Sequence, residues 1–293
     1  MQNSAHFSGL WIPLITPFSH GAVDHPALAK LVQHLCTTGI AGFVACGSTG
    51  EAAALDKEEQ LAVLDTVLQA AEGLPTVMGL SGYHLPHTLA WVKTLATRPL
   101  AGLLVPTPHY IRPSQAGLLQ WFHAIADASA LPLIVYDIPY RTGVRIELDT
   151  LRQLGRHPGI QAIKDCGGDA AKTQALLAEG QLQVLAGEDG QIFSTAALGG
   201  HGAIAASAHV QTERFVRVLS LLRSGQLAQA RACWRPLLPL IEAMFAEPNP
   251  APLKALLAHQ GFITNELRSP MTQATQAHAE RVVQLCAAIT AVE

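Results

Sequence analysis

The sequence predicts a (β/α)8 barrel, on three observations. Eight short runs rich in Val, Ile and Leu recur along 293 residues. Amphipathic segments with helix-start signals lie between most of them. The composition, 49% hydrophobic and 14% charged, suits parallel strands covered on both faces and subunits that bury further surface. The length exceeds a usual single domain, yet α/β barrels reach it as one unit. A doubly wound open sheet usually has fewer strands and often a glycine-rich phosphate loop after the first, and neither condition holds here.

The strand candidates, in order, are LWIPLITPF from Leu10, GFVACG from Gly42, TVMGL from Thr76 and GLLVPTP from Gly102, then LPLIVYDIP from Leu131, IQAIKD from Ile160, LQVLAGED from Leu182 and GAIAAS from Gly202. Two intervening helices are especially clear. One starts at Asp24, places Leu28, Leu31, Val32 and Leu35 on one face, and stops before Gly39. The other opens on a capping box of Asp56 and Glu59, carries Leu61, Leu64, Val67 and Leu68, and stops before Gly73. From about His209 the strand signal ends, and TERFVRVLSLLRSG and AERVVQLCAAI read as helices. The expected organisation is a barrel over 1–208 and a C-terminal helical extension over 209–293.

A net charge of −3 offers no basic surface for phosphate contacts, so nucleic acid is not an expected partner. The five cysteines, Cys36, Cys46, Cys166, Cys233 and Cys286, are odd in number, scattered and never paired as CxxC. They read as reduced thiols rather than a disulfide framework or a zinc site. The start, MQNSAHFSGLW, has no basic segment followed by an apolar core, and no later apolar run reaches bilayer length. A cytoplasmic protein without membrane attachment is expected.

In such barrels chemistry gathers at the C-terminal ends of the strands. Ser48, Thr49, Gly50 and Glu51 follow GFVACG, and Thr107, His109 and Tyr110 follow GLLVP. LPLIV ends in Tyr136 and Asp137 with Arg141 close behind, IQAI ends in Lys164, and LQVLA ends in Gly187, Glu188 and Asp189. A lysine desolvated at that position loses preference for its charged form, and a neutral amine attacks ketones. Lys164 is therefore a candidate Schiff-base nucleophile, with Tyr136 able to shuttle protons; the competing reading pairs Lys164 with Glu188 or Asp189. Ser48 and Thr49 combine hydroxyls and flexible amides suited to a small carboxylate, or form an ordinary turn before a helix. Arg141 offers a fork that grips a carboxylate, or makes a surface ion pair. Among 13 histidines, His84 and His87 are the closest spaced, in a loop beside Pro86, and the first strand carries no His-x-His. No metal site is expected.

The blocks GSTGEAAAL, TPHYIRPSQAG, VYDIPYRTG, AIKDCGGD, LAGEDG, GGHGAIA and EPNPAPLK resemble, in order and spacing, the dihydrodipicolinate synthase and N-acetylneuraminate lyase family of pyruvate-dependent class I aldolases. The resemblance runs from about Gly9 to Met271. It implies that Lys164 forms the imine with pyruvate, that Tyr136 is the phenol beside it, and that Ser48 and Thr49 with Gly50 hold the pyruvate carboxylate. It also implies that Tyr110 crosses a tight dimer interface to complete a relay with Ser48 and Tyr136, that Gly187 and Ile204 line the substrate, and that no cofactor is needed beyond the covalent lysine imine. The implied partners are small molecules, pyruvate and an aldehyde, and further copies of the chain in a homotetramer of tight dimers.

Arg141 matches the arginine with which the synthase grips aspartate semialdehyde, which implies synthesis of 4-hydroxy-tetrahydrodipicolinate for lysine and diaminopimelate. Other features point to a different aldehyde or a 2-keto sugar acid: GSTGE is a lyase-like spelling, Asp137 stands where the synthase often has Asn, and Tyr140 is bulkier than the usual residue there. A reading from another class is a catalytically silent barrel that binds a 2-keto acid. At the positions matching the lysine-feedback pocket stand Ala52, Lys57, Gln60, His84, Thr88 and His109. A cationic Lys57 repels a lysine ligand, so no lysine feedback is expected.

Overall fold

The structure, a computed structural model, describes residues 6–290; the reading of MQNSA as free of a leader lies outside the described residues. Eight strands pair into a closed parallel barrel. They are β1 (Gly9–Pro13), β2 (Gly42–Ala45), β3 (Thr76–Gly79), β4 (Gly102–Pro106), β5 (Leu133–Asp137), β6 (Ile160–Asp165), β7 (Gln183–Ala186) and β8 (Gly202–Ile204). Every run marked in the sequence contains one strand. Each strand is followed by a helix: α1 (His25–Cys36), α2 (Lys57–Ala70), α3 (Leu85–Leu95), α4 (Gln115–Ala128), α5 (Leu148–Leu154), α6 (Ala170–Glu179), α7 (Ile192–Ala197) and α8 (Thr212–Arg223). Four more follow: α9 (Leu227–Trp234), α10 (Leu237–Ala246), α11 (Ala251–His259) and α12 (Gln276–Thr290).

Several of the helices start where polar side chains cap them. Asp24 accepts from the Ala27 amide of α1 at 3.0 Å. Asp56 accepts from Glu59 N at 2.8 Å, and Glu59 in turn accepts from Asp56 N at 3.2 Å, closing the capping box of α2. Asp169 accepts from Lys172 N at 3.1 Å at the start of α6.

The chain divides into two compact units. The first holds residues up to Gly9 and Pro75–Ile204, hence β3 to β8. Its strands bury Leu103, Leu104, Val105, Ile134, Val135, Ala162, Ile163, Val184 and Leu185 almost completely, as strands covered on both faces must. In the second, Leu10–Leu74 with Ala205–Glu293, β1 pairs with β2, Trp11 opposite Gly42. The predicted face of α1, Leu28, Leu31, Val32 and Leu35, is wholly buried there.

All five cysteines are free. No helix among the described residues is long and apolar enough to cross a membrane.

Candidate active site

The register of β5 against β6 sets Tyr136 opposite Lys164 and Asp137 opposite Asp165. Side chains alternate along a strand, so Tyr136 and Lys164 share one face while the two aspartates share the other. The outer face is identified by its partners, because Asp137 is ion-paired with Lys172 on α6. Tyr136 and Lys164 therefore face the barrel interior.

Lys164 is 6% exposed, with its Nζ 4.5 Å from the centre of the Tyr136 ring. Burial lowers its pKa, and the neighbouring Cys166, Asp189 and Glu188 oppose that drop. Burial likewise pushes the Tyr136 phenol well above its ordinary value, so the hydroxyl keeps its proton and can donate it. Amine and phenol lie side by side, burial biasing the amine toward the neutral form that attacks a carbonyl and leaving the phenol a proton to pass.

Around this pair the first unit packs closely. Gly187, at the end of β7, donates its amide to Asp165 O at 3.0 Å. A Cβ at Gly187 would lie 2.8 Å from Lys164 Cγ and would also strike Cys166 Sγ; only glycine leaves room for the lysine stem. Arg141 and Tyr140 stand on a single helical turn, Pro139–Thr142, just beyond β5. Both are exposed, and the Arg141 guanidinium carbon lies 5.8 Å from the Tyr140 ring centre. Ile204, at the end of β8, is buried. Tyr110 takes a left-handed backbone conformation, φ 73°, uncommon for a bulky residue, and its side chain is 88% exposed.

In the second unit, the Cys46–Glu51 turn follows β2 with left-handed residues at both ends, Cys46 at φ 51° and Glu51 at φ 50°. Gly50 N bonds to Gly47 O, and Glu51 N to Ser48 O. The Ser48 and Thr49 amides enter no such backbone bond among the described residues, which leaves two neighbouring N–H groups beside two hydroxyls. Ser48 is exposed and Thr49 buried. A Cβ at Gly50 would lie 2.8 Å from Leu14 O, and Thr16 Oγ1 donates to Gly50 O at 2.7 Å, so the turn sits tight on the end of β1.

Two anchors of this turn carried no role in the sequence reading. Asn249 Nδ2 donates to Thr49 Oγ1 at 3.1 Å. Lys254, wholly buried, pairs with Glu51 at 2.5 Å, donates to Glu266 O at 2.8 Å, and lies 4.2 Å from the Phe18 ring centre. Both come from the EPNPAPLK block. The signal that marks them is a lysine within the otherwise apolar run PLKALLA. Among the described residues no group of three or more His, Cys, Asp or Glu side chains could hold a metal.

The model of the dihydrodipicolinate synthetase family matches residues 6–289. The chain is 36% identical over 278 residues to 4-hydroxy-tetrahydrodipicolinate synthase 2 of Clostridium acetobutylicum, covering 94% of this chain and 97% of that protein. Its structure superposes with a TM-score of 0.94 on dihydrodipicolinate synthase from Thermotoga maritima, at 29% identity over 97% of this chain and 99% of that one. The score is again 0.94, at 30% identity and the same coverage, for the chloride-inhibited dihydrodipicolinate synthase from Acinetobacter baumannii complexed with pyruvate.

Proposed function

The chain belongs to the dihydrodipicolinate synthetase family, and from that premise we propose that it is a 4-hydroxy-tetrahydrodipicolinate synthase, a lyase that condenses pyruvate with aspartate semialdehyde through an imine on Lys164. The observation that carries the reading is the buried Lys164 amine set in register beside the Tyr136 phenol.

The Lys164 amine adds to the keto carbon of pyruvate, and the carbinolamine loses water with Tyr136 passing the proton to the departing hydroxyl. Loss of a proton from the methyl carbon gives an enamine. That carbon forms the new bond to the aldehyde carbon of the semialdehyde, whose oxygen takes up a proton. The amino group of the semialdehyde then adds to the imine carbon, closing the ring and releasing Lys164 as a free amine. The Ser48 and Thr49 hydroxyls and amides, with Gly50, hold the pyruvate carboxylate; Gly187 and Ile204 line the pocket; Arg141 grips the acceptor carboxylate with its fork. Tyr110 reaches the site of a neighbouring copy and joins Ser48 and Tyr136 in the proton relay, in a homotetramer built from tight dimers. Its 88% exposure and left-handed backbone support a side chain directed away from its own chain. No external cofactor enters the cycle.

The test is turnover with pyruvate and a panel of aldehydes. Aspartate semialdehyde is expected to be consumed with the highest kcat/KM and to give the cyclic product. Preference for a sugar-derived aldehyde, or cleavage of a 2-keto sugar acid, would overturn the acceptor assignment while leaving the imine intact.

A further inference from the structure

Behind Tyr136 and Lys164, on the face turned to α6, lies a buried charged cluster that the reaction does not use. Asp137 is fully buried and ion-paired with Lys172, itself 4% exposed. Together they grip both sides of one residue: Ile146 N donates to Asp137 Oδ1 at 3.2 Å, and Lys172 Nζ donates to Ile146 O at 3.4 Å. Asp165 accepts from Gly167 N at 2.9 Å and from Thr173 Oγ1 at 2.5 Å. Cys166 N closes the cluster from the β6 side by donating to Asp137 O at 2.9 Å. A Cβ at Gly167 would lie 2.7 Å from Asp137 Oδ2 and would strike Lys172 Nζ, so the chain after the Schiff-base lysine is drawn directly over the ion pair.

Ile146 is the far end of the segment that leaves β5 at Ile138 and carries Tyr140 and Arg141. The near end is held locally, with Thr142 Oγ1 bonded to Ile138 O and Val144 O. The far end depends on Asp137 and Lys172, backed by Gln115, which donates to Arg145 O at 2.9 Å and accepts from Glu147 N at 3.0 Å. Arg141 is exposed; its side-chain neighbour is Tyr140 on the same helical turn, so the pair is placed together by the backbone beneath it.

We infer that Lys172 is a positioning residue for the second substrate: through Asp137 it fixes the end of the 138–146 segment, and so aligns Arg141 and Tyr140 with the acceptor without taking part in imine formation. The inference rests on the proposed role of Arg141 toward the acceptor. The groups facing Asp137 are Lys172 from α6, Asp165 from β6 and the Ile146 peptide. Burial raises the Asp137 carboxyl, and Lys172 opposes that rise; removing Lys172 leaves a buried carboxyl to be neutralised by protonation instead.

The experiment compares wild type, Lys172→Met and the uncharged pair Asp137→Asn/Lys172→Met in three measurements: borohydride trapping of pyruvate, KM for each substrate, and the pH profile of kcat/KM for the aldehyde. In Lys172→Met, trapping and KM for pyruvate are expected to stay within about twofold, while kcat/KM for the aldehyde falls roughly ten- to a hundredfold, the cost of misplacing a substrate-orienting group by about 1 Å. That loss shrinks as pH is lowered and the lone carboxyl takes up a proton. The uncharged pair recovers most of the loss at neutral pH and shows no such pH dependence. Should Lys172→Met fail to fold, Lys172→Gln, which keeps a donor toward Asp137, is measured in its place: a loss of aldehyde kcat/KM with unchanged trapping of pyruvate is expected, and no loss, or an equal loss for pyruvate, overturns the inference.

Equal losses for pyruvate and aldehyde, an unchanged aldehyde kcat/KM in Lys172→Met, or an uncharged pair worse than the single variant would each overturn the inference. A wild type that traps pyruvate yet turns over no aldehyde overturns the acceptor reading and this inference with it. A wild type that turns over aldehyde normally while Lys172→Met matches it overturns the inference alone.

Discussion

Gly187→Ala isolates the fit between β7 and the reactive lysine. The Gly187 backbone conformation is open to any residue, so the substitution acts through volume alone. The added methyl would sit 2.8 Å from Lys164 Cγ and 3.1 Å from Asp165 O, and would strike Cys166 Sγ. Carbon atoms in contact prefer about 3.5–4.0 Å, so roughly 1 Å must be surrendered along the lysine stem. Overpacking of this kind costs about 1–3 kcal/mol of stability. The larger effect falls on the chemistry, since a displacement of about 1 Å from attack geometry slows a reaction by roughly a hundredfold. The assay is a quenched time course of borohydride trapping with pyruvate, alongside thermal unfolding to show that the variant is folded. Pairing the change with Cys166→Ala relieves the sulfur clash but not the one at Cγ, so the double variant is expected to stay slow. A folded Gly187→Ala protein that traps pyruvate at the wild-type rate would refute the claim that this glycine sets the position of the amine.

Other outcomes follow from the same geometry. His209 is buried and neutral, accepting from Ile15 N at 3.2 Å and bonded to Ala206 O at 2.8 Å, with its pKa lowered by burial from 6.5 to about 4. A depressed histidine contributes stability in full above its unfolded pKa, and the contribution is lost as pH falls toward the folded value. Linkage gives a loss of about 2 kcal/mol between pH 7 and pH 5, which His209→Gln should largely remove from the pH dependence of urea unfolding; an unchanged pH dependence in the variant contradicts the assignment. Lys254→Met strands the Glu51 carboxylate beneath the Cys46–Glu51 turn and should cost about 3–5 kcal/mol in denaturant unfolding, whereas a loss under about 1 kcal/mol would mean that Glu51 finds water or another partner. L-lysine is expected not to inhibit, because Lys57 presents a cation donating to Gln60 Oε1 at 3.3 Å where a cationic ligand would have to approach; micromolar inhibition in the turnover assay would contradict this.

The barrel was legible because its signal is local. A parallel strand buried on both faces must be a short apolar run, and a capped helix between two such runs is announced by single residues such as Asp24 and Asp56. Lys164 was legible for the same reason, as a charge at the end of a run that otherwise excludes charge. What escaped was pairing at a distance. Asp137 follows Tyr136 directly in the sequence, but strand alternation turns it to the opposite face, where Lys172, 35 residues on, pairs with it. Glu51 and Lys254, and likewise Thr49 and Asn249, meet only after the second unit has folded, and no local pattern links them. Lys254 was the more readable of these, since a lysine within a buried apolar helix requires a partner. The identity of that partner was not readable at all.

The central claim is that Lys164 is the covalent nucleophile. It is tested most directly by incubating the protein with pyruvate and borohydride and locating the adduct by peptide mass spectrometry. The account predicts a reduced pyruvyl adduct on Lys164, absent from Lys164→Ala. An adduct on any other lysine, or no adduct from a folded sample, would contradict it.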